Sequence, residues 1–300
     1  MLGLLFPGQG AQSVGMGMSL VERSAAAREL FREAGDILGF DLINLCSHGP
    51  AEQLNRTEFS QPALFVHSLA ALKLLAEERS DLWNQVGAAA GLSLGEYTAL
   101  AATGAMSFSQ GLRLVQTRGA AMQAAADITD SGMSSIVGLD QDRLQAICEQ
   151  ASGDGHFVRI ANLLCPGNIA ISGHLSALAI AERLCTEAGA MMAVRLQVAG
   201  AFHTSIMQPA VSQLSLALSE TEFSASRVPV YSNVDAAGHQ QPEEFRDLLA
   251  RQVTGPVLWE AALRNMMDAG CTEFIELGAG RVLAGTLKRI NRKVSCEAYG

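Results

Sequence analysis

Apolar residues fall along this chain in two patterns. Short continuous runs closed by glycine or proline, residues 2–6 ahead of Pro7-Gly8 and the small residues 86–90 ahead of Gly91, suit strands buried on both faces of a parallel sheet. Residues from about 20 to 80 read instead as mostly helical, with 61–75 the most apolar, and 107–125 reads as a helix with Ser107 at its N-cap. The middle of the chain is the most legible. Strand 133–139, helix 141–151, strand 157–164, a Cys165-Pro166-Gly167 turn, strand 168–173, helix 175–188 and strand 191–198 give the order βαββαβ. That order predicts a ferredoxin-like unit, a four-stranded antiparallel sheet with two helices on one face, whose ends lie near each other. Helix 205–219, strand 228–232, helix 242–253, helix 256–269 with Pro256 at its start, strand 273–277 and a helix from Gly278-Ala279-Gly280 through Ile290 follow. The expected fold is α/β: a mostly parallel sheet flanked by helices in residues 1–130 and 200–300, with the ferredoxin-like unit of 131–199 inserted in it.

The second apolar run leads into Gly91-Leu92-Ser93-Leu94-Gly95 and then into a helix-forming stretch of Glu, Tyr, Ala and Leu. Strand, sharp turn and helix around G-x-S-x-G describe a nucleophile elbow, in which the flanking glycines let the turn tighten and lift the serine hydroxyl out of the sheet. The N–H of Leu94 would then point from a helix N-terminus at a developing oxyanion. Five residues also fit a glycine-flanked serine in an ordinary βα turn, so the remaining chain must decide. The glycine-rich loop Pro7-Gly8-Gln9-Gly10 lacks the Lys-Ser/Thr ending of a P-loop and the third glycine of a dinucleotide fingerprint. A backbone N–H directed into a site is a better use for it.

Composition narrows the classes. With 300 residues, 49% hydrophobic and 17% charged, the chain can bury a core without disulfides or metal. A formal charge of −9 and no basic stripe argue against a nucleic-acid partner. An acidic partner would have to meet a local patch, such as Arg113 and Arg118 or the set Lys288, Arg289, Arg292 and Lys293. The six cysteines show no C-x-x-C pair and no metal-ligand spacing, and read as free thiols in a reducing compartment. With no signal peptide or transmembrane helix visible, a cytoplasmic protein is expected, with no metal and no membrane role.

A serine nucleophile needs a base. Of the six histidines, His203 is the best placed, on a glycine-loosened loop where the chain returns from the inserted unit; capping or packing is an equal alternative on position alone. His67, in the apolar helix, reads as a packed core residue. No Asp or Glu stands out as the third member of a triad, and a Ser-His dyad oriented by a carbonyl or amide is chemically sufficient. Arg118 is flanked by Thr117, Gly119, Ala120 and Ala121, which leave space around its guanidinium; a solvated surface arginine is the alternative.

Five pieces in order, residues 6–12 (Phe-Pro-Gly-Gln-Gly-Ala-Gln), 91–97, 116–119, 200–204 and 252–257, resemble those of the malonyl-CoA:acyl-carrier-protein transacylases, and also the acyltransferase domains of polyketide synthases. The resemblance spans nearly the whole chain. It implies an α/β-hydrolase-like large subdomain with an inserted ferredoxin-like small one and the site between them. It further implies Ser93 as the malonylated nucleophile, His203 as its base, the backbone N–H groups of Gln9 and Leu94 as the oxyanion hole, and Arg118 as a bidentate partner of the malonyl carboxylate. Gln252 would orient the histidine through its backbone carbonyl, and Phe202 would disfavour an α-methyl branch. Malonyl-CoA and CoA are then substrate and product, no cofactor is held permanently, and a phosphopantetheinylated acyl carrier protein is the acceptor of a ping-pong reaction by an expected monomer. Many members carry His at the position of Leu92, so a role for that histidine does not transfer. A trans-acting polyketide-type acyltransferase of other acyl preference, or an acyl-CoA thioesterase using the same dyad, remains as the alternative.

Overall fold

The computed structural model describes all 300 residues. The first strand, β1 (Leu2–Phe6), is buried at every position. Helices α1 (Met18–Arg23), α2 (Ala25–Leu38), α3 (Leu42–His48), α4 (Ala51–Asn55), α5 (Thr57–Glu78) and α6 (Leu82–Gln85) follow, then β2 (Val86–Gly91), α7 (Leu94–Ala102) and α8 (Phe108–Ile128). The small-residue run of β2 lies centrally in the sheet, where strands carry helices on both faces and need no polar edge. Ser107 caps α8 as expected, within a full capping box with Gln110. Helix α5 has the length and apolarity to cross a membrane, but 83% of its most apolar window is buried inside the protein, where it serves as a core helix.

The chain next builds β3 (Ser131–Val137), α9 (Gln141–Ala151), β4 (Val158–Cys165), β5 (Asn168–His174), α10 (Leu175–Glu187) and β6 (Met192–Arg195). These strands form their own antiparallel sheet in the order β4-β5-β3-β6, the ferredoxin-like arrangement, with Leu144, Ile147, Leu178 and Ala181 of the two helices in its core. A 3₁₀ turn at Ser205–Met207 leads into α11 (Gln208–Glu220), followed by β7 (Val230–Tyr231), β8 (Gly238–His239), α12 (Pro242–Gln252), α13 (Trp259–Asp268), β9 (Glu273–Leu277), α14 (Val282–Ile290) and β10 (Ser295–Tyr299). The large sheet runs β10-β9-β1-β2-β7-β8, parallel except for the β7–β8 pair.

Three expectations need correction. The helix expected from Pro256 begins at Trp259, because Val257 is extended and pairs with β4: Leu163 N–H donates to its carbonyl (2.9 Å), and its own N–H donates to Ala161 O (2.8 Å). This pairing ties the two sheets together. The strand expected over 191–198 ends at Arg195, after which the chain departs toward the site. Strand β10 was not anticipated; its half-exposed residues carry no apolar run, and it is held by backbone pairing with β9 and by the Arg79–Glu297 ion pair (2.7 Å).

Candidate active site

The elbow forms because two glycines allow it. A Cβ on Gly91 would lie 1.8 Å from the Gly95 carbonyl carbon, and one on Gly95 would lie 2.0 Å from Phe6 O, so no other residue fits the crossing of β1, β2 and α7. Ser93 pays for the turn with φ 52° and ψ −103°, a region costing on the order of 1–3 kcal/mol for a residue with a Cβ. Asn233, which follows β7, holds it there. Its Oδ1 accepts from Ser93 N–H (2.7 Å) and its Nδ2 donates to Gly91 O (2.8 Å).

His203 comes from the loop after β6, also at positive φ (62°). Small-sheet side chains pin this loop, Ser131 Oγ accepting from Ala201 N–H (3.1 Å) and Ser172 Oγ donating to Phe202 O (2.8 Å), and within the loop Thr204 Oγ1 donates to Ala201 O (2.8 Å). The imidazole Nε2 lies 2.9 Å from Ser93 Oγ, and Nδ1 lies 2.9 Å from Gln252 O. A carbonyl only accepts, so Nδ1 carries the proton and Nε2 is the acceptor facing the serine hydroxyl. Gln252 ends α12, where carbonyls have no intrahelical donor, and its oxygen is therefore available to the histidine. Burial first, and the Arg118 charge second, push His203 down to about 4, against hydrogen bonds to backbone at Gln252 and Gly255. The imidazole is therefore neutral at physiological pH.

Arg118 is 1% exposed, which removes it from the surface patches considered above. The small residues around it serve helix packing: a Cβ on Gly119 would lie 2.8 Å from Thr57 O, so the glycine lets α8 close on the start of α5. That approach brings Gln61 Oε1 to Arg118 Nη1 (2.8 Å). Nη2 donates to Gln252 Oε1 (2.9 Å) and Ser93 Oγ (3.0 Å), the Tyr97 ring lies 5.0 Å from the guanidinium carbon, and Nε has no partner. No carboxylate pairs with this buried cation, and desolvation holds its pKa below the usual arginine range.

Gln9 and Leu94 both line the cleft beside Ser93, and neither backbone N–H has an acceptor within the protein. Across the cleft stand Met133, Asn162, Leu196, Val198 and Phe202, contributed by or next to the small sheet, and Leu92 lies beside the nucleophile. All seven sequence candidates thus meet at one place. Sequence reasoning missed Gln61, Glu96, Asn162 and Asn233. Asn162 Oδ1 is buried in the cleft wall without a partner, and Glu96 Oε2 accepts from Gln252 Nε2 (2.6 Å) and Asn233 N–H (3.1 Å). Glu96 is the exception that a signal existed for, since it lies three residues beyond the serine in the quoted motif. His67 is a packed core residue as expected, pushed down to about 4 by burial alone.

A serine hydroxyl facing a neutral imidazole, two free N–H groups and a buried guanidinium without a carboxylate contact within one cleft suit transfer of an acyl group that bears a negative charge. Comparison with known proteins agrees. The family described as acyl transferase domain matches residues 4–297. A malonyl CoA-acyl carrier protein transacylase of Bacillus subtilis (strain 168) is 38% identical over 297 residues, covering 99% of this chain and 92% of that protein. The mitochondrial malonyl-CoA-acyl carrier protein transacylase of Homo sapiens is 39% identical, covering 96% of this chain and 76% of that protein. Among solved structures, an acyl-carrier-protein S-malonyltransferase from Bartonella henselae superposes with a TM-score of 0.96 at 37% identity, covering 100% of this chain and 95% of that one. A malonyl-transacylase solved in complex with its type II PKS acyl-carrier protein superposes at 0.94 and 36% identity, covering 99% and 95%.

Proposed function

Because the chain belongs to the acyl transferase domain family and is an acyltransferase, we propose that it moves malonyl from malonyl-CoA to the phosphopantetheine thiol of an acyl carrier protein through a malonyl-Ser93 intermediate. The observation that carries the malonyl assignment is Arg118, a buried cation beside the nucleophile with no carboxylate in direct contact. A carboxylate is the group that a guanidinium fork binds best.

The geometry assigns each step. Ser93 Oγ attacks the thioester carbonyl carbon as His203 Nε2 takes the hydroxyl proton, and the carbonyl oxygen becomes an oxyanion facing the N–H groups of Gln9 and Leu94. Collapse breaks the C–S bond, and the proton on Nε2 passes to the departing CoA sulfur. The Gln252 carbonyl, at the negative end of α12, holds Nδ1–H and stabilises the imidazolium in place of a carboxylate. The carrier thiol then gives its proton to Nε2, attacks the malonyl ester and releases Ser93, whose oxygen recovers that proton. The guanidinium holds the malonyl carboxylate through both half-reactions, and Phe202 limits room for an α-branch.

The relatives, malonyl-CoA-acyl carrier protein transacylases, support the donor and acceptor classes. A thioesterase reading is disfavoured, since a hydrolase of neutral acyl groups has no use for a buried arginine that no carboxylate contacts directly. The division of the chain at 130/131 and 199/200 belongs to the same proposal, as does action in the cytoplasm as a monomer; free cysteines, five of them buried, suit a reducing compartment. Intact-protein mass after mixing with malonyl-CoA tests the reading. One malonyl adduct is expected on the wild type and none on Ser93→Ala, and a holo carrier protein should discharge the adduct far faster than water. Equal discharge by water would make the protein a hydrolase.

A further inference from the structure

Glu96 is the one carboxyl group beneath the site, and the transfer reaction gives it no task. Its carboxyl is buried (3% exposed) in the first turn of α7, and burial raises its pKa above the usual carboxylate range, against hydrogen bonds from Gln252, Asn233 and Ser232. Burying a carboxyl costs stability, so its presence calls for a reason other than packing.

The reason lies in what it touches. Gln252 Nε2 donates to Glu96 Oε2 (2.6 Å) and to Ser93 O (3.0 Å), which leaves Gln252 Oε1 facing Arg118 Nη2 (2.9 Å). An amide side chain is nearly symmetric in shape and fits a slot either way round; only its partners distinguish the two orientations. Glu96 Oε2 accepts from both the Gln252 amide and the Asn233 N–H, so it draws the nitrogen end of the amide and sends the oxygen end to the guanidinium. Reversed, the amide would set N–H against N–H at Arg118. The same residue presents its backbone carbonyl to His203 Nδ1 (2.9 Å). A single residue therefore connects the acyl clamp, the base and the nucleophile's own carbonyl, and Glu96, through the shortest of the three bonds, reinforces the orientation that Ser93 O and Arg118 favour.

We propose that Glu96 is a positioning residue for acyl transfer: by orienting the Gln252 amide it aims Arg118 at the acyl carboxylate and, through the Gln252 backbone, steadies the His203 imidazole. Asn233 joins the two halves of this device, since its N–H binds the same Glu96 oxygen while its side chain supports Ser93. The inference rests on the malonyl-transfer reading above.

The test is a double-mutant cycle on the full chain, with the rate of malonyl-Ser93 formation from malonyl-CoA read by rapid quench and intact mass. Glu96→Gln replaces an all-acceptor partner by an amide that can also present N–H, which loosens the hold on the Gln252 nitrogen and leaves only Ser93 O and Arg118 to orient it. It is expected to slow acylation roughly 10- to 100-fold in the Gln252 background. In the Gln252→Ala background the same change should cost less than about threefold, because no amide remains to orient. An equal penalty in both backgrounds, or a wild-type rate for Glu96→Gln, overturns the proposal. Should Glu96→Gln fail to fold, Glu96→Asp, which keeps the carboxyl but shortens the reach, goes through the same cycle with about a fivefold loss expected to vanish in Gln252→Ala; a persisting loss overturns it. A wild type that forms no malonyl adduct would instead remove the functional reading.

Discussion

The two walls of the cleft are built on different principles. The floor, carried by the large parallel sheet, is a polar lattice: Ser93, Arg118, Gln252, Asn233 and Glu96 bind one another through bonds of 2.6–3.1 Å, with few donors or acceptors left over. The opposite wall, from the small antiparallel sheet and the loop after it, is mostly apolar, and its one buried amide, Asn162, has an oxygen without a partner. A lattice in which every group fixes another can hold reacting atoms to a fraction of an ångström but tolerates little change. A packed apolar wall is held by shape and accepts changes of volume. Apart from His203, which the loop after β6 brings across, the polar chemistry is thus assigned to the floor and fit of the acyl group to the wall.

The largest effect that tests this division is Arg118→Ala. The substitution removes the clamp and unfastens Gln61 and Gln252 together. Malonyl transfer is expected to fall roughly 100- to 1000-fold while acetyl transfer holds or rises, because the loss is specific to the charged end of the acyl group. Steady-state kcat/KM with malonyl-CoA and acetyl-CoA measures the split. Parallel losses for both donors would place Arg118 in the lattice alone and deny it a role in recognition.

Acid should separate use from burial. His203 and His67 are both pushed down to about 4, and only the first faces the nucleophile. A folded pKa below the unfolded value near 6.5 means that the unfolded chain binds more protons, so stability from these groups is present above about pH 6.5 and is lost as pH falls toward 4. Chemical denaturation of the wild type and His67→Gln across pH 4 to 7 isolates one of them. The stability difference should shift in favour of the variant by on the order of 1–3 kcal/mol as pH falls through that window. Acylation by the variant should keep the wild-type pH profile, with activity retained to about pH 5 and lost as His203 protonates near 4. A changed profile would mean that the core histidine communicates with the site.

On the apolar wall the expected change is smaller and concerns preference. Phe202, 5% exposed, stands beside the base. Phe202→Ala should raise the methylmalonyl-to-malonyl ratio of kcat/KM by about tenfold, the scale of one methyl group in an apolar pocket. Competition between the two CoA esters gives the ratio directly, and no change would move the selecting contact elsewhere on the wall.

The same contrast decided how much was legible from the chain. The apolar patterns gave both sheets, because each strand's burial follows from its own residues, as in Leu2–Phe6 and the βαββαβ run. Ser93, His203, Arg118 and the loop glycines lie in local motifs whose chemistry is written in adjacent residues. Strand β10 and the extended Val257 were not legible, since both are set by backbone pairing with distant partners, Glu273–Leu277 and Ala161–Leu163. Gln61 and Asn233 escaped for a related reason: each is a common polar residue in an ordinary setting until folding brings it across 57 or 140 positions to Arg118 or Ser93. The missing acid of a triad was rightly not invented, but the acid that does lie below the site, Glu96, was passed over because it serves the base at one remove.

Leu92 marks the boundary between the two walls, and its replacement should have the smallest effect. Its backbone is part of the elbow: its carbonyl accepts from Gly95 N–H (2.9 Å), and its N–H donates to Phe6 O (3.0 Å). Its side chain makes no hydrogen bond, lines the cleft and packs against the cluster that includes Leu5, Val257 and Trp259. In Leu92→His the backbone bonds persist, and the imidazole would sit half-buried near the Arg118 charge, which favours its neutral form at pH 7. A neutral ring there adds a polar edge to the apolar side of the cleft without entering the Ser93, His203, Gln252 and Arg118 bonds. Malonyl transfer should therefore change by less than about threefold and stability by less than about 1 kcal/mol. A loss beyond about tenfold in kcat with unchanged melting would show that the side chain at position 92 belongs to the floor, and that the division between the walls runs on its far side.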